Sequence, residues 1–257
     1  MLFLRFTRVN SILMKKVKAS QINIAPRQVL FVLLFLESVV IAIAIAKAIT
    51  RDLSPAHYFG ENGLVTDASC IQLAIASMQA LATFWTVKHS HNSRLTKNGW
   101  FWLVVSCGLV FLAFDDAYEI HEHLDLWLHR VLQIQQTDLT DLADDLIVGG
   151  YLLVFIIYVA LKWRTIKIFK QSFTFFKVGF GLSVLMVILD MAGNNDYFIL
   201  LVVEDLNRAR LLEQWLGVVE DSVKIIAEGM FIVGIYQCWQ IAKSLSSPVP
   251  GDRPTVL

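Results

Sequence analysis

Trp100-Phe101-Trp102-Leu103-Val104-Val105-Ser106-Cys107-Gly108-Leu109-Val110-Phe111-Leu112-Ala113 runs without a break into Phe114-Asp115-Asp116-Ala117-Tyr118-Glu119-Ile120-His121-Glu122-His123. The first part is almost purely apolar. The second crowds six carboxylates and imidazoles into ten residues. Such groups are costly near lipid, and a chain that gathers them at the end of a membrane-length apolar run is expected to use them. The stretch therefore decides two things together: a membrane fold, and the level at which to look for chemistry.

Working outward, five further stretches have the same apolar character. The candidate spans are 28–49, 68–88, 99–118, 143–163, 172–192 and 212–240. Each approaches the roughly 20 residues that cross a bilayer at about 1.5 Å per residue. The whole chain of 257 residues is 56% hydrophobic and 17% charged, against about 45–50% and about 25% in soluble domains. That composition excludes an ordinary soluble domain. The formal charge is zero, with 22 basic and 22 acidic residues, so no nucleic-acid partner is expected and only the distribution of charge informs.

With the N-terminus inside, the inner segments carry Arg5, Arg8, Lys15, Lys16, Lys18 and Arg27, then Lys88, Arg94 and Lys97, then Lys162, Arg164, Lys167, Lys170 and Lys177, then Lys243 and Arg253. The outer loops carry only Lys47, Arg51, Arg130, Arg208 and Arg210. This bias predicts an all-α polytopic integral membrane bundle of six transmembrane helices with both termini cytoplasmic. The expected organisation is a basic cytoplasmic segment over 1–27, a six-helix domain over 28–243, and a disordered cytoplasmic tail over 244–257. Residues 1–20 are too interrupted to span. They read as a basic topogenic tail or as an amphipathic anchor on the inner leaflet. Ala46-Lys47-Ala48 imitates a signal-cleavage site, but the basic region and the apolar run before it are too long for a signal peptide. Cys70, Cys107 and Cys238 all fall within apolar segments and read as packing residues.

The acidic residues gather at the outer helix ends. The third span ends in Asp115, Asp116, Glu119, Glu122 and Asp125; the fourth begins with Asp141, Asp144 and Asp145; the fifth ends in Asp190, Asn194, Asn195 and Asp196; and Glu204, Asp205 and Glu213 lead into the sixth. Neighbouring helices would make of these an outward-opening acidic vestibule. On one continuous helix, Asp115 and Glu122 fall within about 20° of each other with Glu119 beside them, and Asp116 and His123 share an adjacent edge. His121 points about a third of a turn away unless the helix frays there. Mixed carboxylate and imidazole ligands suit zinc, manganese or iron. The run does not contain His-Glu-x-x-His or a di-iron Glu-x-x-His.

The sixth span supplies the second signal. Glu213, Glu220, Asp221, Lys224 and Glu228 lie within about 80–100° on a helical wheel. Each charge facing lipid would cost at least about 2.5–3.5 kcal/mol, so the stripe must face the bundle interior, a watery cavity or a partner. Glu220 and Lys224 stand in the favourable order for an intrahelical pair. Glu37 in the first span lies near the midplane, where it either pairs with Lys224 or carries a proton. Gln72 and Gln79 share a face of the second span and read as interhelical glue. His57, His129, His89 and His91 read as surface residues.

Asp115, Asp116, Ala117, Ile120, His121 and Glu122, together with the acidic pair Glu220 and Asp221, resemble a pattern of uncharacterised bacterial six-span membrane proteins. In that pattern an apolar third helix ends in Asp-Glu-Ala-x-x-Ile-His-Glu and the last helix carries Glu-Glu. Here Asp116 and Asp221 each stand in place of a Glu. The resemblance implies that the third and sixth helices cooperate in one site, and it implies no activity.

The residues support three functional expectations. In the first, the protein is a metal-dependent enzyme of the bacterial plasma (inner) membrane, acting on a lipid or lipid-soluble substrate near the outer leaflet. Asp115, His121, Glu122 and Glu220 would hold zinc, manganese or iron, and Glu119 or Asp221 would help deprotonate a bound water. Glu37, Asp116, His123, Asp145, Asp190, Lys224 and Glu228 would complete the polar core. In the second, Glu220, Lys224, Glu228 and Glu37 relay cations or protons into the membrane; against it, Gly229 to Ile235 below Glu228 carries no ionisable group and the chain shows no repeat or broken helix, which favours a blind cavity. In the third, the charged stripes dock another membrane subunit.

Overall fold

The computed structural model describes residues 24–60, 63–90, 93–96, 99–132, 142–193, 199, 203 and 205–246. Every regular element among them is helical. The seven main helices are α1 (Pro26–Thr50), α2 (Leu64–Lys88), α3 (Gly99–Tyr118), α4 (Ile120–Leu132), α5 (Leu142–Leu161), α6 (Phe173–Gly193) and α7 (Leu206–Ser246). The expectations for residues 1–23 and for the tail 247–257 lie outside the described residues.

Four stretches are long and apolar enough to cross a membrane: α1, α2, α3 and Trp163–Gly193, which includes α6. The protein is therefore a helical membrane protein. Its outward faces agree. On α1, Phe31 is 73% and Phe35 61% exposed, which water would penalise and lipid does not. Only Glu37, Ala44 and Ala48 of that helix are buried. Pro26 opens α1 at a position where its missing N–H costs nothing, and Gln28 Oε1 accepts the Ala25 N–H at 3.1 Å.

Helix α7 is the organising element. At about 1.5 Å per residue its 41 residues run about 60 Å, longer than a bilayer core is thick. It packs most extensively on α6 and α2, and also on α1, while α3 packs on the far side of α2. The α6–α7 seam closes over two glycines. A Cβ on Gly179 would meet the Phe231 ring at 3.1 Å, and one on Gly234 would meet the Phe176 ring at 2.9 Å. Each ring sits where only a hydrogen leaves room, which lets the helices approach closely. The α2–α3 seam is clipped by Ser77 and Ser106, whose hydroxyls lie 3.0 Å apart.

Two apolar clusters fill the bundle. One, towards the Lys88 and Lys243 end, includes Phe84, Phe101, Trp102, Phe169, Ile232 and Cys238, and the other, towards the Thr50 end, Ala44, Phe59, Val65, Val218 and Ile225. At the first of these ends Lys88 caps Trp100 and Lys243 caps Trp239 in cation–π contacts, as in an interfacial aromatic belt.

The outer loop expected over 119–142 is in part a helix. Residues 120–132 form α4, on which Leu124, Trp127 and Val131 make an exposed apolar stripe. The spacing is that of a helix lying along a membrane surface. The dense acidic run masks it in the sequence. The third span also stops at Tyr118. Glu119 adopts φ 54°, in the left-handed region, so the chain turns and restarts as α4.

Candidate functional site

The break at Glu119 rearranges the acidic run. On a continuous helix Asp115, Glu119 and Glu122 would share a face and His121 would point away. In the folded chain His121 doubles back onto Asp115. Its backbone N–H donates to Asp115 Oδ1 at 3.0 Å, and its Nδ1 lies 3.1 Å from Asp115 Oδ2. Asp115 is buried at the end of α3 and caps the first turn of α4. Both of its oxygens are taken by one residue. It orients the His121 ring.

Glu119 contributes its backbone: its carbonyl accepts from the N–H of His123 at 3.0 Å and from His123 Nδ1 at 2.8 Å. His123 is exposed, so the shared edge with Asp116 does not form. Glu122 lies in the first turn of α4, and Glu220 lies in α7. Among the described residues, no group of three or more His, Cys, Asp or Glu side chains is arranged to hold a metal ion. The Asp145 side chain lies outside the described residues.

Deeper in the bundle the acidic stripe of α7 is divided among its neighbours. Lys224 Nζ donates to Asp116 Oδ1 on α3. Lys224 thus reaches across to α3, a partner that the sequence pattern did not single out. Asp116 Oδ2 also accepts the Cys70 thiol of α2 at 3.7 Å. Asp221 interacts electrostatically with Lys224, with Asp116 and with Asp190 of α6, so α3, α6 and α7 share one charged level. Glu213 is exposed.

One turn below Lys224, Glu228 faces α2. Ser69 Oγ donates to Glu228 Oε1 at 2.7 Å, and Glu228 is 9% exposed. Beside it, Glu37 of α1 is 3% exposed and accepts from Gln72 Nε2 at 3.1 Å. The Glu37 carboxylate rests directly on Gly229, the neighbour of Glu228, in space that a Cβ would fill. The two glutamates interact electrostatically. Glu37 Oε2, Glu228 Oε2 and Gln72 Oε1 are buried with no hydrogen-bond partner among the described residues.

From the sequence, the third and sixth spans are expected at the centre. In the structure α2 stands between them and supplies Ser69, Cys70 and Gln72. Sequence pattern alone assigns no role to Ser69 and reads Cys70 as packing. Their one signal is the spacing of Ser69, Gln72 and Gln79 along one face of an otherwise apolar helix.

Residues 28–238 match the family described as a domain of unknown function (DUF8692). No curated protein and no solved structure matches the chain.

Proposed function

The chain belongs to the DUF8692 family, and from its geometry we propose that it is a transporter of protons or small cations in a bacterial inner membrane. The observation that carries this reading is the series of ionisable groups placed at successive levels from the outer end inward. Asp115 and His121 stand at the mouth, then Asp116 and Lys224, then Glu228 and Glu37. Glu37 is about 16 Å along α1 from Pro26, close to the middle of the bilayer. Ionisable groups held that deep mark ion pathways and proton relays more often than scaffolding.

Uncharged polar groups continue the series inward. Below Gln72 on α2, Gln79 keeps a buried amide oxygen without a partner among the described residues, as does Gln237 below Glu228 on α7. Gln237 borders a notch of about 390 Å³ at the inner end, lined also by Gln171, Gln240 and Ser244. The metal-dependent enzyme has no comparable support, since Asp115 and His121 meet but no third ligand joins them among the described residues.

The topology that goes with this reading has six crossings and cytoplasmic termini. Helices α5 and α7 supply the two crossings beyond the four apolar stretches. The shorter apolar part of α5, Gly149–Leu161, and the charges of α7 are compatible with crossings packed against protein. Helix α4 would lie in the outer interface and meet lipid with Leu124, Trp127 and Val131.

The test is reconstitution into liposomes that hold a pH-sensitive dye, under imposed proton, sodium and potassium gradients. Dye response or cation flux well above that of protein-free liposomes is expected. Flux equal to that of protein-free liposomes under every gradient would overturn the proposal.

A further inference from the structure

Resting on that transport reading, we infer that Glu37, Glu228, Gln72 and Ser69 form an occluded oxygen site for one hard cation, which competes there with protons. The four side chains come from α1, α2 and α7 and meet at one level. Above that level lie Ala44, Val65 and Ile225 of the outer apolar cluster, and below it Ala76, Ile232 and Ile235 of the inner one. The level is a polar layer with apolar packing on both sides, and the Lys224–Asp116 pair stands one turn above it.

Three oxygens in this layer have no hydrogen-bond partner among the described residues: Glu37 Oε2, Glu228 Oε2 and the amide oxygen of Gln72. All three belong to side chains at least nine-tenths buried. The Gln72 oxygen is the telling one. A buried carboxylate oxygen is answered equally well by a proton or a cation, whereas an amide oxygen calls for a donor or a cation. Its amide nitrogen is already committed to Glu37, which fixes the group within the cluster. Carboxylate, amide and hydroxyl oxygens, with no nitrogen or sulfur ligand among them, suit an alkali or alkaline-earth ion over zinc or iron. Gly229 contributes by omission, because its missing side chain is what admits the Glu37 carboxylate between α1 and α7.

Charge explains the competition. Around Glu228 stand Lys224 one turn away on its own helix, Asp116 of α3, Glu37 of α1 and the Cys70 thiol of α2. Lys224 is bonded to Asp116, so Glu37 and Glu228 bring two negative charges that this ion pair does not offset. Two protons neutralise them, as do one divalent ion or one monovalent ion with one proton. Burial in a bilayer favours these neutral states over the bare pair.

The full chain in lipid nanodiscs is treated with dicyclohexylcarbodiimide, which attacks protonated carboxyls in apolar surroundings, and modification of Glu37 and Glu228 is read by peptide mass spectrometry. Sodium, calcium and magnesium are added one at a time, and thermal unfolding is followed in parallel. One of these ions is expected to slow modification at least fivefold and to raise the Tm of the wild type. Both effects should disappear in Glu37→Gln and Glu228→Gln, and the Tm effect should weaken in Ser69→Ala. If none of the three ions changes either modification or Tm at about 100 mM, the cation site is overturned. Ion effects that survive in both Gln variants overturn it equally. Flux separates this site from the reading it rests on. Ion protection without flux in liposomes would retain the site and remove transport, whereas flux unchanged in both Gln variants would retain transport and remove the site.

Discussion

The outer and middle levels of the polar core use the same residue types and answer them differently. At the outer level Asp115 and Asp116 each have both carboxylate oxygens answered. Asp115 gives both oxygens to His121, and Asp116 gives one to Lys224 and one to Cys70. At the middle level Glu37 and Glu228 each receive one donor, and each keeps a second oxygen unanswered among the described residues. A buried charge that is fully partnered holds helices in register. One that is half partnered is a cost the fold retains at the level where a proton or cation would remove it. The comparison gives the first level the task of holding the helices together at the mouth of the path, and the second the binding of the ion.

The largest effect expected is at the outer pair. Lys224→Met strands the Asp116 carboxylate and should destabilise the protein by about 3 kcal/mol, while Lys224→Met combined with Asp116→Asn should recover most of the loss. Thermal unfolding in detergent checks this, and a double variant as unstable as the single one would break the structural assignment. Next comes Gly229→Ala. Overlap with the Glu37 carboxylate should cost about 2 kcal/mol, against a helix gain of about 1 kcal/mol. In a Glu37→Ala background the sign should reverse and the alanine should stabilise, which a double-mutant cycle reads directly.

Ser69→Ala removes the one donor to Glu228 and should cost about 1 kcal/mol in unfolding experiments. The smallest effect lies at the break between α3 and α4. Because Glu119 has a left-handed backbone, Glu119→Gly should stay within about 1 kcal/mol of the wild type and should unfold at a higher temperature than Glu119→Val. The reverse order would mean that the break is not held as described.

Four apolar spans were legible because membrane burial writes itself into long uninterrupted runs, and Glu37 stood out because a carboxylate in such a run has few explanations. The charged stripe of α7 was legible for the same reason. Its partners were not. A helical wheel groups Asp221, Lys224 and Glu228 on one side, but α3 and α6 meet that side at one level and α2 takes it one turn below. The turn at Glu119 was hidden because no glycine or proline marks it, and with it went the return of His121 to Asp115. Ser69, Cys70 and Gln72 carry weak signals, since small or neutral polar residues are common in spanning helices. Only the packing of α2 against both α3 and α7 gives them their roles.

The most direct test is to compare Glu228→Gln and Asp116→Asn with the wild type, measuring proton and sodium flux in liposomes at equal amounts of folded protein, with thermal stability recorded for each. Glu228→Gln is expected to unfold within a few degrees of the wild type and to lose at least nine-tenths of the flux. Asp116→Asn is expected to unfold at a clearly lower temperature. Full flux in Glu228→Gln, or its collapse as a folded protein while Asp116→Asn remains stable, would contradict the division of the core into a structural and an ion-handling level.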